Sequence, residues 1–130
     1  MMMIPLTAIQ IRYMRVLYQL GSDRTVKLSE VAEVLKVSKP SVHSMFCKLR
    51  QYGLITQNEH GFSQMTELGK KTVGEYEKQY EVLYTFMRDV LHLDEEAAQD
   101  NALTLLGSEN HSAPQLCQGI EHYWQEQREA

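Results

Sequence analysis

Between Val34 and Asn58 the sequence contains no Asp or Glu, yet it carries Lys36, Lys39, Lys48 and Arg50. Cations without neighbouring carboxylates suit the neutralisation of phosphates, because each contacted phosphate releases condensed counterions. Among them stand Ser38, Ser41, His43 and Ser44, short polar side chains able to exchange hydrogen bonds with base edges in a groove of duplex DNA. A carboxylate there would be repelled by phosphates on both groove walls. The rest of the chain sharpens the contrast. Its net charge is -4, but residues 1–80 carry 11 Lys+Arg against 7 Asp+Glu, whereas 81–130 carry 2 against 10. A polyanion would be drawn to the N-terminal part alone. The plainer alternative is a solvated basic face, and the elements that carry these residues separate the two readings.

Apolar residues at 9, 13, 16, 17 and 20 follow helical spacing, and Gly21, Ser22 and Asp23 end that run. Ser29 is the candidate N-cap of a second, short helix with Val31, Ala32 and Leu35 facing inward. Ser38 is the candidate N-cap of a third, with Pro40 in the first turn where its missing N–H costs nothing, running to about Tyr52 before Gly53. "LITQ" and "GFSQ", separated by "NEHG", read as a hairpin with Gly61 at a positive φ. Thr66 opens a long helix to about Leu91, with Val73, Tyr76, Tyr80, Leu83, Met87 and Val90 along one seam. Asp94 caps a fifth helix with Ala98, Ala102, Leu105 and Leu106 on one face, ending near Gly107. A sixth, about Ser112 to Gln127, carries Leu116, Ile120, Tyr123 and Trp124.

Three helices, a hairpin and further helices make the order of a winged helix-turn-helix followed by a helical half. The fold class expected is mainly α, with domains at 1–70 and 71–130. The helix from Ser38 becomes the recognition helix, and the wing would touch DNA through Asn58, His60 or the Gly61 amide. Glu59 opposes deep insertion of the wing.

Other chemistry is thin. Cys47 and Cys117 are far apart and in no metal-like pairing, so neither a disulfide framework nor a zinc knuckle is expected. Cys47 between Phe46 and Leu49 reads as core, with a redox thiol as the alternative. His111 and His122 are too far apart in sequence to share one helix face closely. The tyrosine-rich seam of the long helix reads as core or dimer interface rather than a small-molecule pocket. There is no Gly-rich phosphate loop, nucleophile signature or His-Glu-x-x-His, so an enzyme is not expected. Apolar runs are too short to span a membrane, and the first residues lack the pattern of a secretory signal, which makes the cytoplasm the default.

"LSEVAEVLKVSKPSVHSMFCKLRQYGLI", preceded by "YMRVLYQL" and followed by "TELGKK", resembles the diphtheria toxin repressor family of iron- and manganese-dependent repressors, in particular its short manganese transport regulator branch. The resemblance runs over about residues 9–125. It implies a winged helix and a helical dimerisation domain without a third, SH3-like domain. It also implies that Ser38, Pro40 and Ser44 read DNA while Lys39, Ser41 and Lys48 lie near phosphate. The family's metal ligands are acidic or soft residues flanking a Tyr of the first helix, a His of the long helix, and acids with a His of the fifth. Aligned on this sequence, those positions hold Arg12, Arg15, Tyr80, Leu103, Leu106 and Gly107. Hard divalent cations want carboxylate and imidazole, and guanidinium repels them. Mn or Fe is thus implied by resemblance only, and no metal or other cofactor is expected. Arg12 and Arg15 are instead expected to stand in for the cation by pairing with Glu77, Glu81 or Asp100.

Together these readings imply a homodimeric, sequence-specific regulator of transcription, expected to be a repressor, whose partners are double-stranded DNA and a second copy. The alternatives are a metal-responsive repressor with a displaced site and a winged-helix protein-interaction module.

Overall fold

The computed structural model describes residues 4–109 and 111–130. Its elements run α1 (Ala8–Gly21), α2 (Leu28–Leu35), α3 (Lys39–Gln51), β1 (Ile55–Gln57), β2 (Ser63–Met65), α4 (Glu67–Asp89), α5 (Glu95–Leu106) and α6 (Ala113–Glu129). This is the mainly helical architecture expected, with a two-stranded antiparallel wing after three helices. The chain divides into two compact units, one comprising Arg12–Gly74 and the other Pro5–Ile11 with Glu75–Ala130. The chain passes from one unit to the other inside α1 and inside α4.

In the first unit, α2 starts at Leu28 rather than after Ser29. The backbone N–H of Lys27 donates to Glu30 Oε2 at 2.7 Å, so a carboxylate three residues on satisfies the helix start and Ser29 lies exposed. Arg24 Nη2 donates to the other oxygen of Glu30 at 3.0 Å. That hydrogen bond, aided by the one from Lys27, holds the Glu30 carboxyl below its ordinary value. α2 ends on Lys36 in the left-handed region at φ 56, and Val37 N–H reaches Ala32 O at 3.1 Å. Beyond it the extended Ser38 begins α3 as expected, its Oγ accepting from Ser41 N–H at 3.2 Å. Val31, Ala32, Val42, Phe46, Leu49, Leu54, Ile55 and Met65 are buried, giving the small core on which α2, α3 and the hairpin rest.

The wing pairs Ile55 with Met65, Thr56 with Gln64 and Gln57 with Ser63. A third stretch, absent from the sequence reading, joins its edge. Val26 and Ser63 exchange both backbone hydrogen bonds, at 2.7 and 2.9 Å. The wing's far end is closed by Thr66, whose hydroxyl donates to Gly53 O at 2.7 Å and accepts from Gly69 N–H at 2.9 Å to open α4. Gly69 is required here, because a Cβ would lie 3.1 Å from the Leu54 carbonyl carbon and closer still to its oxygen.

In the second unit, Thr7 and Gln10 cap α1 reciprocally, Thr7 N–H donating to Gln10 Oε1 at 3.0 Å and Gln10 N–H to Thr7 Oγ1 at 3.2 Å. Ile9, the first residue of the apolar helical spacing, is 62% exposed, while Gln10 and Ile11 are buried. Capping fixes the rotation of this first turn and turns Ile9 outward. Asp94 caps α5 as expected, its Oδ1 accepting from Ala97 N–H at 2.8 Å. Tyr76, Tyr80, Leu83 and Met87 of the α4 seam are buried, as are Ala98, Ala102, Leu103 and Leu106 of α5. α6 departs from expectation. Ala113 and Cys117 are its buried residues, whereas Leu116 and Tyr123 are 40% and 39% exposed. The spacing of 113 and 117 sets a narrower buried face than the larger apolar residues suggested.

Candidate nucleic-acid interface

α3 separates its side chains cleanly. Val42, Phe46 and Leu49 are buried, and Ser38, Lys39, Pro40, Ser41, His43, Ser44 and Lys48 are all exposed. The helical period of 3.6 places 40, 44 and 48 along one outward line with 39, 41 and 43 beside it, opposite the buried triad. The residues singled out in the sequence therefore share one solvent-facing surface on one helix. Two of them do local work as well. Ser38 caps the helix, and its Oγ lies 2.8 Å from Ser41 Oγ. The exposed Lys36 adds a further cation just ahead of the helix, and no carboxylate interrupts the sequence between Val34 and Asn58.

The wing tip is held by its own hydrogen bonds. Asn58 Oδ1 accepts from His60 N–H at 2.9 Å and from Phe62 N–H at 3.0 Å, and Gly61 N–H donates to Asn58 O at 3.0 Å. The Gly61 amide is thus already engaged within the turn, and Gly61 serves instead by its φ of 81. His60 Nε2 lies 3.6 Å from Glu59 Oε1 on the exposed wing tip, a solvated contact worth little.

The sequence missed the contacts of Arg50. It is half-buried on the last turn of α3, donating from Nη1 to Gln57 Oε1 and from Nη2 to Cys47 Sγ at 3.2 Å. Gln57 Nε2 donates in turn to Gly61 O at 3.0 Å. Cys47 is half-buried, with His43 Nδ1 at 3.9 Å from its sulfur, so it is neither a sealed core residue nor an open thiol. No local sequence signal links a residue at a helix end to a strand beyond the turn.

The positions at which the resembled family carries metal ligands can be judged by their chemistry. In the first unit, Arg12 and Arg15 offer guanidinium groups, which hold positive charge and no lone pair for a cation. In the second, Leu103 and Leu106 are buried aliphatic side chains, and Tyr80 is buried and stacked on Tyr84 at 5.6 Å. Gly107 has no side chain and no room for one, since a Cβ would sit 2.9 Å from Ala8 Cα and 3.0 Å from the Thr7 carbonyl carbon. These residues do not fit a hard divalent cation. Among the described residues, no three His, Cys, Asp or Glu side chains gather to hold a metal ion. His122 Nε2 instead lies 3.0 Å from Glu126 Oε1 on exposed α6.

Residues 6–61 match the family model of the iron dependent repressor N-terminal DNA binding domain, a span that contains α2, α3, β1 and the wing turn. That stretch of the chain is similar to this family's DNA-binding domain. Solved structures agree in fold. The repressor ScaR with bound Zn2+ is 25% identical, and the match covers 86% of this chain and 53% of that one with a TM-score of 0.66. The manganese regulator SloR is 17% identical over 89% of this chain and 53% of its own, with a TM-score of 0.74. A hypothetical protein from Sulfolobus solfataricus, 17% identical, matches over 92% of this chain and 89% of its own with a TM-score of 0.63. The chain thus spans about half the length of the solved repressors it matches, while its match to the Sulfolobus protein takes in most of both chains. No curated protein sequence matches. No helix among the described residues is long and apolar enough to cross a membrane.

Proposed function

We propose that this iron-dependent repressor relative is a sequence-specific DNA-binding regulator of transcription that acts as a homodimer and does not use metal at the family's ligand positions. The observation that carries the reading is the acid-free, solvent-facing surface of α3. Ser38, Pro40 and Ser44 are assigned to base edges, with His43 beside them, and Lys39, Ser41 and Lys48 to phosphates. Asn58 and His60 approach the backbone from the wing, with Gly61 shaping the turn. The match of residues 6–61 to the iron dependent repressor N-terminal DNA binding domain supports the same assignment.

Support for the dimer comes from the second unit alone. An apolar groove of about 570 Å3 runs along α4 and α6, with Leu83, Phe86, Leu105 and Ile120 in its wall. Leu91, Leu116 and Tyr123 at its sides are 54%, 40% and 39% exposed. Apolar surface of this kind is what a second copy covers in a symmetric pair, and a two-fold pair calls for an inverted-repeat operator.

The test is fluorescence anisotropy with duplex DNA from upstream of the protein's own gene, in chelator and then with Mn2+, Fe2+ or Zn2+. Equal tight binding in every condition is expected. Binding that appears only with metal would return the protein to the metal-responsive repressors, and a salt-insensitive protein partner with no DNA affinity would make it an interaction module.

A further inference from the structure

We infer that Arg50 is a positioning residue that fixes the wing relative to the recognition helix, rather than a phosphate contact; this rests on the DNA-binding reading above. Of the four cations in the acid-free window, Lys36, Lys39 and Lys48 are exposed, while Arg50 is half-buried. Its planar fork is shared between two elements. Nη2 donates to Cys47 Sγ one turn back on α3, at 3.2 Å, and Nη1 donates across to Gln57 Oε1 at the end of β1. The Gln57 amide is thereby oriented, and its NH2 donates to Gly61 O at 3.0 Å. One chain of hydrogen bonds thus runs from the recognition helix to the glycine that turns the wing.

The acceptors are a thiol and an amide, not a carboxylate. No carboxylate among these acceptors offsets the cation beside the DNA-facing surface, while its geometry serves the protein. A lysine could supply the charge but not the fork, because one ammonium on a flexible stem cannot hold two acceptors on two elements in a plane. The short wing strands, Ile55–Gln57 and Ser63–Met65, leave few ladder hydrogen bonds to set the angle of the tip, so a side-chain tie has leverage there.

The roles separate through Arg50→Lys, Gln57→Leu and the double variant, each assayed by anisotropy on cognate duplex DNA across a salt series. Positioning predicts that Gln57→Leu, which leaves every cation in place, weakens binding on the order of tenfold with an unchanged salt slope. Arg50→Lys should weaken it similarly, and the double variant should lose no more than either single one. Wild-type affinity in Gln57→Leu, or in Arg50→Lys, overturns the inference, and so does full additivity. Amide hydrogen exchange of Gly61 and Phe62 in the DNA-free protein decides the tie independently. Faster exchange in both single variants with an unchanged melting temperature supports it, and unchanged exchange overturns it. Failure of the wild type to bind any duplex would remove the DNA reading instead, and the exchange result would still judge the clasp.

Discussion

Replacing Gly107 by Ala tests, with the smallest possible side chain, how firmly the Thr7–Ala8 backbone closes the space beside it. Gly107 has φ -88 and ψ 8, a conformation open to any residue, so the backbone itself does not demand glycine. On that ground alone the substitution would stabilise by about 0.4–1 kcal/mol through the unfolded chain. The contacts oppose it. The new methyl would lie 2.9 Å from Ala8 Cα, about 0.6–1 Å inside the ordinary separation of carbon atoms. The obstacle is backbone held in place, since Leu6 is buried, Leu6 N–H donates to the Tyr76 hydroxyl at 3.1 Å, and Thr7 and Gln10 cap one another. Overpacking against such a segment costs about 1–3 kcal/mol. The net expectation is a loss of about 1–2 kcal/mol, seen as a fall of several degrees in the melting temperature and a lower denaturation midpoint at unchanged slope. A neutral or stabilised Gly107→Ala protein would refute the reasoning, because it would mean that the Thr7–Ala8 segment yields freely and that a ligand at 107 could be accommodated.

Three further outcomes follow from the same structure. Lys48→Gln should weaken binding to cognate and scrambled DNA about equally and lower the salt slope by about one, whereas Ser44→Ala should alter sequence preference; equal effects of Ser44→Ala on both DNAs would remove it from base reading. Because its hydrogen bonds to Arg24 and Lys27 hold Glu30 below its ordinary 4.5, its stabilising effect is present above that pH and lost as pH falls through the folded value. The melting-temperature difference between wild type and Glu30→Gln should therefore be largest near neutrality and close toward strong acid, and a pH-independent difference would contradict this. Burial pushes the Cys117 thiol up to about 11, with Glu121 adding to the effect, so an alkylating reagent at pH 8 should label half-buried Cys47 first and Cys117 only on unfolding. Equal labelling of the two in the native protein would show that α6 does not seal Cys117 where its sulfur points at Gln79 O, 3.6 Å away.

What the sequence disclosed was what local chemistry writes locally. Ser38, Pro40 and Gly53 bracket α3 because capping, a tolerated proline and a left-handed stop act within a few residues, and Gly61 marks the wing turn for the same reason. The start of α2 misled because Ser29 is a good cap by type, yet Glu30 reaches back to Lys27 and moves the start forward. Thr7 and Gln10 were legible as a reciprocal cap, and reading them would have turned Ile9 outward. Lys36 in the left-handed region carries no such mark, since glycine or asparagine is the residue that announces that conformation. The pairing of Val26 with Ser63 and the reach of Arg50 to Gln57 were invisible because they join residues distant in sequence through one or two bonds, with no periodicity to betray them.

The family's metal positions show where residue type and geometry carry different information. Residue type alone speaks against a side-chain ligand at Arg12, Arg15, Leu103 and Leu106, since none offers a side-chain lone pair to a hard cation. It says less about Gly107, because a missing side chain does not reveal what occupies the space. Geometry answers that point, because the space next to Gly107 is taken by the backbone of Thr7 and Ala8. A ligand restored at 107 would therefore have to displace a capped helix start and the Leu6–Tyr76 hydrogen bond before it could meet a metal. Placing a ligand side chain at 107 alone should fail for this reason, and a design that succeeds there must also rebuild residues 5–10.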